Sequence, residues 1–257
     1  MATQSLEETI ARRYTQVLER IAAAAQRAGR RPEAVRLVVV TKGQPVEKAL
    51  AAVAAGARDL GENYPEEGVQ KMAAVHATGL RWHMIGHVQR RKARLVVTHY
   101  DWLHSLDRLP LAQRLERLAA EAGRVLPVLL EFNVGGEASK SGWPAWDEAQ
   151  WEHLLPEVEA VVALPHLAVR GVMTVPPPVS EPERARPFFR RLRRLRDFLA
   201  RRFPQAAWEE LSMGMSADFE VAVEEGATFV RVGTAILGPR PVSPPHAARP
   251  QGASSTR

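Results

Sequence analysis

Residues 36–43 read RLVVVTKG: the chain is apolar without a break from Leu37 to Val40 and then turns polar at Thr41 and Lys42. A second continuous apolar run, VLPVLLEF, occupies residues 125–132. A strand with one wet face alternates apolar and polar side chains, whereas unbroken runs are typical of parallel strands covered on both faces. These two stretches therefore predict a parallel sheet enclosed by helices.

Short apolar runs and helical patterns alternate along the rest of the chain. Eight strands are predicted, over residues 36–40, 58–60, 81–85, 102–105, 126–132, 169–173, 209–211 and 229–232. Helical patterns lie between them, over residues 46–55, 66–77, 89–97, 108–122, 147–163, 184–203 and 216–225. This alternation predicts the α/β class and, with eight strands, a single (β/α)8 TIM barrel; a doubly wound open sheet is the alternative.

The two ends of the chain differ from this pattern. An amphipathic helix is predicted over residues 6–29, before the first strand, as an addition to the barrel. Residues 241–257 are rich in Pro, Ser and Ala without apolar periodicity, which predicts a disordered Pro-rich tail. We therefore expect one barrel domain over residues 1–240, followed by the tail over residues 241–257.

The composition excludes several classes of protein. The 257 residues include no cysteine, which excludes disulfides, thiolate zinc sites, Fe–S clusters and cysteine nucleophiles. The first residues, MATQSLEETIARRY, lack the apolar segment of a secretory signal, and no apolar run approaches the roughly 20 residues that span a bilayer. We expect a soluble protein of the cytoplasm that does not associate with a membrane.

The positive charge is concentrated in one predicted helix. The whole chain carries a net charge of +6, but residues 184–202 hold nine arginines and one acid, a local +8 that leaves about −2 elsewhere. Phe188, Leu192, Leu195 and Leu199 recur there at helical spacing. The favoured interpretation is a solvated outer face whose arginine stems cover apolar surface. Binding of RNA, anionic lipid or an acidic partner is the alternative.

Small and polar residues follow the predicted strands, where a barrel carries its active-site loops. The loops after the last two strands read SMGMS and GT, and such loops form the recurrent phosphate site of this fold. Ser212 supplies a hydroxyl, Gly214 and Gly233 let backbone N–H groups approach an anion, and Thr234 would open a short helix. Glycines that only make tight turns are the alternative interpretation.

Lys42 ends an apolar strand at the same rim. Burial is costly for a lysine that is neither paired nor used, and partial desolvation yields the neutral amine that attacks a carbonyl. A lysine that simply emerges into solvent is the alternative. An amine that seeks an aldehyde, beside a phosphate site, indicates pyridoxal 5′-phosphate (PLP).

Other cofactor and metal motifs are missing from the sequence. Neither a Walker P-loop nor a dinucleotide-binding G-x-G-x-x-G after a strand is present. His83 and His87 stand four apart, but Gly86 separates them at a strand end, so they do not share a helical face. We expect no metal site, and we expect His83 to be a hydrogen-bonded residue at the barrel mouth.

The sequence resembles the YggS/PROSC family of pyridoxal phosphate homeostasis proteins, which is related to the N-terminal barrel of alanine racemase. The matching segments, in the family's order, are VVVTKGQP, DLGENYPEEGVQK, RWHMIGHVQRRK, DWLHSLDR, NVGGEASKSG, GVMTVPP and ELSMGMSADFEVAVEEGATFVRVGTAILG. They run from about residue 36 to residue 238. The resemblance implies a fold-type III barrel with PLP held as a Schiff base on Lys42.

The resemblance also implies roles for other residues. Those that would contact the phosphate are Ser212, Gly233 and Thr234, and those that would wall the pocket are Met173 and Met213. Arg231 matches the arginine that faces the pyridine nitrogen in the related racemases, and Asn63 matches an asparagine near the ring. His83 and Ser105 match rim positions. Three positions depart from the family pattern: Gly43 replaces a threonine after the lysine, Arg91 replaces an asparagine, and His87 stands where a small residue or proline is usual.

The sequence favours a cofactor-binding protein over an enzyme. Racemisation by two bases requires an acid–base group opposite the lysine, and none of Tyr14, Tyr64 and Tyr100 fits that role. We therefore expect a PLP-homeostasis protein rather than an enzyme. We expect it to store PLP or deliver it to PLP-requiring apo-enzymes, to act as a monomer and not to bind nucleic acid. A weak amino-acid racemase or other PLP enzyme is one alternative, and an RNA-binding or scaffold protein acting through residues 184–202 is another.

Overall fold

The structure of the chain is a computed structural model that describes residues 5–241. The predicted tail beyond residue 241 lies outside the described residues. Within residues 5–241, no helix is both long and apolar enough to cross a membrane.

Eight parallel strands close into a barrel. Each pairs with its neighbours in the order β1-β2-β3-β4-β5-β7-β8-β9, and the ring closes where β9 pairs with β1. The remaining strand, β6, is a two-residue addition beside the end of β5. The predicted (β/α)8 barrel is thereby confirmed and the open sheet is excluded. The strands are β1 (Arg36–Val40), β2 (Asp59–Glu62), β3 (Arg81–Met84), β4 (Trp102–Leu106), β5 (Leu126–Asn133), β6 (Trp143–Pro144), β7 (Leu167–Met173), β8 (Glu210–Ser212) and β9 (Phe229–Val232).

Helices surround the barrel and connect the strands. The α-helices are α1 (Leu6–Arg27), α2 (Val46–Ala54), α3 (Pro65–Met72), α4 (Ala93–His99), α5 (Leu109–Glu121), α6 (Leu155–Val162), α7 (Arg186–Arg202), α8 (Phe219–Glu224) and α9 (Thr234–Leu237). The helix predicted over residues 147–163 is in fact a 3-10 segment, Glu148–Leu154, followed by α6. Pro156 lies in the first turn of α6, because a proline has no N–H to bond to the preceding turn.

The predicted N-terminal helix is present as α1 and covers the seam of the barrel. Its first turn is held by a capping box between Ser5 and Glu8. Ile10, Val17 and Ile21 are buried on one face, and the helix packs against α2, α8 and α9. Because α2 follows β1 and α8 precedes β9, α1 lies over the junction of the first and last strands.

The arginine-rich helix α7 lies on the outside of the barrel. Phe189 is fully buried with Leu192, Leu195 and Leu199, and Phe188 is only half-buried, which shifts the predicted stripe by one residue at its start. Within the described chain, eight of the nine arginines between 184 and 202 form ion pairs with acidic side chains. The pairs offset much of the local charge, which favours a solvated outer face over a surface for a polyanion.

Candidate functional site

A cavity of about 370 Å³ opens at the carboxyl ends of the barrel strands. This volume lies within the range of small-molecule sites. Its walls include the apolar side chains of Val40, Ile85, Val175 and Met215. Its polar lining is formed by Lys42, Gln44, Asn63, Ser216, Arg231, Thr234 and Arg240, together with Gly233. Three of these side chains are cations, and within the described residues no carboxylate lines the cavity, so the site favours an anionic ligand.

A second cavity, of about 430 Å³, lies near Trp143 and Trp146. It is slightly larger, but its lining includes Asp147 and Glu157 and none of the residues predicted to act on a ligand. The cavity around Lys42 is therefore the candidate functional site.

Five of the residues predicted for the site line the Lys42 cavity, and five do not. Those that line it are Lys42, Asn63, Arg231, Gly233 and Thr234. The others are buried behind it: Met173 lies in the apolar layer inside the barrel, and Met213 faces the core outside it. Ser105 donates its hydroxyl to the carbonyl of Gly86 at 2.6 Å. The remaining two, His83 and Ser212, belong to a hydrogen-bonded chain described below.

Burial and neighbouring charge activate Lys42. The side chain is half-buried. Desolvation lowers the pKa of Lys42, the positive charges of Arg240 and Arg231 lower it further, and Glu62 and Glu67 partly oppose them. A larger fraction of the amine is therefore neutral near pH 7 than for a solvated lysine, and the neutral amine is the form that adds to a carbonyl.

The backbone on both sides of Lys42 is held by a buried ion cluster. Lys71 Nζ donates to Glu62 Oε1 at 2.7 Å, to Glu67 Oε1 at 2.6 Å and to the carbonyl of Thr41 at 2.5 Å. Glu62 also accepts from the Thr41 hydroxyl, and Glu67 accepts from the N–H of Gly43. Lys71 is only 4% exposed. The cluster thus fixes the residues directly before and after Lys42.

Arg231 is at the end of a chain of hydrogen bonds through the barrel interior. Its Nη1 donates to Ser212 Oγ at 2.6 Å, so the Ser212 hydroxyl donates in turn to Nδ1 of His104 at 2.9 Å. His104 Nε2 then donates to Nδ1 of His83 at 2.9 Å, and His83 Nε2 donates to Asp59 at 2.7 Å. Every bond in the chain therefore points away from the cavity.

The charge states of the groups in this hydrogen-bond series are consistent with donation from Arg231 toward Asp59. Burial lowers the pKa of both His83 and His104, so both imidazoles are neutral. Burial opposes ionisation of Asp59, but the hydrogen bonds from His83 and Arg81 outweigh it and hold the pKa of Asp59 at about 2. Burial lowers the pKa of Arg231 to about 10, which leaves it charged at pH 7. These hydrogen bonds therefore hold the charged guanidinium of Arg231 at the cavity wall.

The Ser212 hydroxyl is committed inside the barrel, and a different serine reaches the cavity. Ser216 lines it with Gly233 and Thr234, and its Oγ accepts only a long contact, 3.4 Å, from the N–H of Ala235. Gly214 makes the turn between the two serines, with φ of +93° and no room for a Cβ, which would lie 2.5 Å from the Cβ of Ala222. The loops after β8 and β9 thus present two hydroxyls and Gly233 at one point.

Sequence reasoning missed Gln44, Met215, Ser216 and Arg240 as lining residues. Ser216 and Met215 belong to the SMGMS motif that was singled out, so counting along its turn could have found them. Arg240 had no sequence signal, because it lies at the edge of the Pro-rich tail. It reaches the cavity because Gln44 Nε2 and Lys48 Nζ donate to the carbonyls of Gly238 and Leu237.

His83 and His87 have different partners. His83 bonds to Asp59 and His104, whereas His87 Nδ1 pairs with Asp107 at 2.8 Å. In the part of the chain that the structure describes, no group of three or more His, Cys, Asp or Glu side chains is placed to hold a metal ion.

Glu131 is predicted to make stability depend on pH. Burial, assisted by the charge of Asp107, raises the pKa of Glu131 from 4.5 to about 7. Because the folded protein keeps this proton to higher pH than the unfolded chain, the stabilisation is fully present below pH 4.5 and is lost as pH rises through 7. We expect the free energy of unfolding to fall by an amount on the order of 3 kcal/mol across that window.

Urea denaturation at several pH values tests this prediction. In Glu131→Gln the fall between pH 4.5 and 7 should be reduced, whereas Glu159→Gln, an exposed position on α6, should keep it. An unchanged fall in Glu131→Gln would show that another group is responsible.

The comparisons with known proteins agree with this geometry. The family described as "Alanine racemase, N-terminal domain" matches residues 14–241. The pyridoxal phosphate homeostasis protein of Pseudomonas aeruginosa is 44% identical over 238 residues, which cover 92% of this chain and 98% of that protein. The chain belongs to the pyridoxal phosphate homeostasis protein family. The predicted resemblance is thereby confirmed.

Two solved structures are similar to this member of the pyridoxal phosphate homeostasis family. It is similar to PipY of Synechococcus elongatus with PLP bound, with a TM-score of 0.72, 36% identity and coverage of 86% of this chain and 100% of that one. An alanine racemase of Clostridium difficile has a TM-score of 0.65 at 14% identity, covering 87% of this chain and 56% of the racemase. That second likeness concerns the barrel fold alone.

Proposed function

We propose that the protein binds PLP in the Lys42 cavity and holds it as a Schiff base on the Lys42 amine, in the service of PLP homeostasis. The observation that carries the proposal is a half-buried lysine with a lowered pKa in a cavity lined by three cations, Lys42 among them, and by the hydroxyls of Ser216 and Thr234. The name of the family's proteins and the PLP-bound relative support it.

The residues present fit this cofactor. Asn63 Oδ1 is buried at the cavity without a hydrogen-bond partner among the described residues, so its amide is available to the ring hydroxyl. Ser216, Thr234 and the backbone near Gly233 suit the phosphate, and we assign the serine contact to Ser216 rather than Ser212. Ser105, Met173, Met213, Ser212 and His83 would support the site from behind.

Each of the chain's own groups has a defined task in this proposal. When bound, PLP supplies an aldehyde that an amine can hold reversibly. Lys42 provides that amine, and the cluster around Lys71 keeps its backbone in place. Arg231 presents a cation that cannot give up its proton near pH 7 to a ring nitrogen, because its own pKa is about 10.

We infer storage or delivery rather than turnover. Within the described residues the cavity lining contains one amine but no Tyr, His, Asp or Glu that could act as an opposing acid–base group. Tyr64, on the loop after β2, is 60% exposed and lies outside that lining. We further propose that PLP-requiring apo-enzymes receive the cofactor, and that the protein acts as a monomer in the cytoplasm.

A titration with PLP and with pyridoxal, which lacks the phosphate, tests the proposal. The purified protein should turn yellow with PLP and bind it with about one equivalent per chain. It should bind pyridoxal about ten-fold more weakly, because the hydroxyls of Ser216 and Thr234 and the backbone near Gly233 lose their anion. A colourless protein that takes up no PLP would refute the proposal. Exchange of the α-proton of an added amino acid at an enzymatic rate would instead favour a PLP enzyme.

A further inference from the structure

The side chain of Arg240 lies at the mouth of the Lys42 cavity. Its side chain is exposed and lines the cavity, and none of residues 5–241 forms an ion pair or a hydrogen bond with its guanidinium. The arginines of α7, by contrast, are nearly all paired. An arginine that is left free beside an anion-binding cavity has its five donors available to a ligand.

The backbone that carries Arg240 is nonetheless fixed. Gln44 Nε2 donates to the carbonyl of Gly238 at 2.9 Å, and Lys48 Nζ donates to the carbonyls of Leu237 and Pro239 at 2.8 and 3.3 Å. The segment is therefore tied to the start of α2, directly after Lys42. These hydrogen bonds therefore hold the backbone of Arg240 at the cavity.

Gly43 makes the room that Arg240 occupies. A Cβ on Gly43 would lie 2.9 Å from Cδ of Arg240 and 3.6 Å from its Cγ. The backbone of Gly43 has φ of +64°, which residues other than glycine rarely adopt. Gly43 thus lets the Arg240 stem pack against the lysine loop.

The two arginines of the cavity differ in their availability. Arg231 is 4% exposed, and both of its terminal nitrogens are bonded, to Ser212 and to the carbonyl of Thr174. Arg240 faces the solvent side, where an incoming molecule arrives. A molecule that reaches Lys42 from outside therefore meets the free guanidinium first.

We propose that Arg240 binds the carboxylate of an amino acid whose amine competes with Lys42 for the cofactor. This inference rests on the proposed function. A guanidinium pairs with a carboxylate through two parallel hydrogen bonds, which orients the amino acid with its nitrogen toward Lys42. The exchange needs no oxidant: the C=N bond to the amino-acid nitrogen replaces the C=N bond to Lys42 on the former aldehyde carbon, and the two protons that the incoming NH2 group loses pass to Nζ of Lys42, which leaves as a neutral amine.

The test compares L-alanine with ethylamine, which is alanine without its carboxylate. The full-length protein is loaded with PLP, each amine is added at the same pH, and the loss of Lys42-bound PLP is followed by absorbance. The ratio of the alanine rate to the ethylamine rate is determined for the wild type, Arg240→Gln, Arg240→Lys and Arg201→Gln. Arg201 is exposed at the end of α7, far from the cavity, and is the matched control.

We expect Arg240→Gln to lower this ratio about ten-fold, because it removes a charge-assisted pair with the carboxylate. Arg240→Lys should keep part of the preference, and Arg201→Gln all of it. Affinities of the unloaded protein for PLP and pyridoxal give a second readout: Arg240→Gln should leave the ratio of the two affinities unchanged, because the groups assigned to the phosphate, Ser216, Thr234 and the backbone near Gly233, remain.

Two results would overturn the inference. One is a ratio that is the same in Arg240→Gln and in the wild type. The other is a loss of PLP affinity without loss of pyridoxal affinity, which would assign Arg240 to the phosphate. A wild-type protein that takes up no PLP in the loading step would refute the proposed function itself, and this is seen before any amine is added.

Discussion

Replacing Lys71 with methionine is expected to lower the free energy of unfolding by about 3–5 kcal/mol, because it leaves a buried carboxylate without its cation. Glu62 is fully buried, and burial already raises its pKa against the opposing effect of Lys71. Methionine keeps the length of the side chain but loses all three bonds, to Glu62, Glu67 and the carbonyl of Thr41. Urea denaturation at pH 7 measures the change.

Two further variants isolate the cause of this loss. Adding Glu62→Gln to Lys71→Met removes the uncompensated charge and should recover part of the lost stability. Lys92→Met breaks the exposed pair with Glu66 and should cost no more than about 1 kcal/mol. Equal losses in Lys71→Met and Lys92→Met would show that the buried cluster does not stabilise the fold.

The second large effect is expected at Lys42. Lys42→Ala should abolish the yellow colour of the PLP-loaded protein and weaken PLP binding by roughly 100-fold, so that PLP is lost on gel filtration, because the covalent link has no replacement. Of the chain's five lysines, all within the described residues, Lys42 is the one that lines the cavity. Lys71 lies close to Lys42, since it bonds to the carbonyl of Thr41, but its three hydrogen bonds and its burial keep it from the ligand.

A lysine variant outside the cavity controls for the loss of an amine in general. Lys140→Ala, in the loop after β5, should retain PLP as the wild type does. The fold should also be unaffected in Lys42→Ala, since the Lys42 side chain makes no hydrogen bond to any of residues 5–241, and the thermal unfolding midpoint checks this. PLP retained equally by Lys42→Ala and the wild type would contradict the assignment of Lys42.

The barrel could be predicted because its buried strands stand out in the sequence as short apolar runs between helical patterns. Continuous apolar runs such as residues 37–40 mark buried parallel strands, and the observed strand bounds lie within two residues of the predicted ones. Helix ends were less predictable. The pattern over residues 66–77 continues beyond Met72, where the helix α3 ends, because apolar spacing persists into the turn.

The candidate site was only partly predictable. Lys42, Gly233 and Thr234 follow strand ends, and Arg231 is the third residue of the four-residue strand β9, so strand prediction alone brings them to one rim. The direction of a side chain is set by the turn after each strand, and this separates Ser212 from Ser216 within a single motif. His83 was expected at the mouth, but alternation along β3 turns it into the barrel, where it is fully buried.

The buried partners of the site carried still less sequence signal. His104 and Ser212 lie on β4 and β8, and closure of the barrel brings them together. Asp59 meets His83 through the pairing of β2 with β3, and Lys71 reaches Glu62 from α3, which packs on β2. Arg240 depends in addition on the docking of the segment after α9 against Gln44 and Lys48.

Borohydride reduction of the PLP-loaded wild-type protein, followed by proteolysis and mass spectrometry, tests the central claim most directly. Reduction makes the link between a lysine and PLP permanent, so the modified peptide identifies the lysine. We expect about one phosphopyridoxyl group per chain, on the peptide that contains Lys42. Modification at Lys48, Lys92 or Lys140 in preference to Lys42, or no modification, would contradict the account.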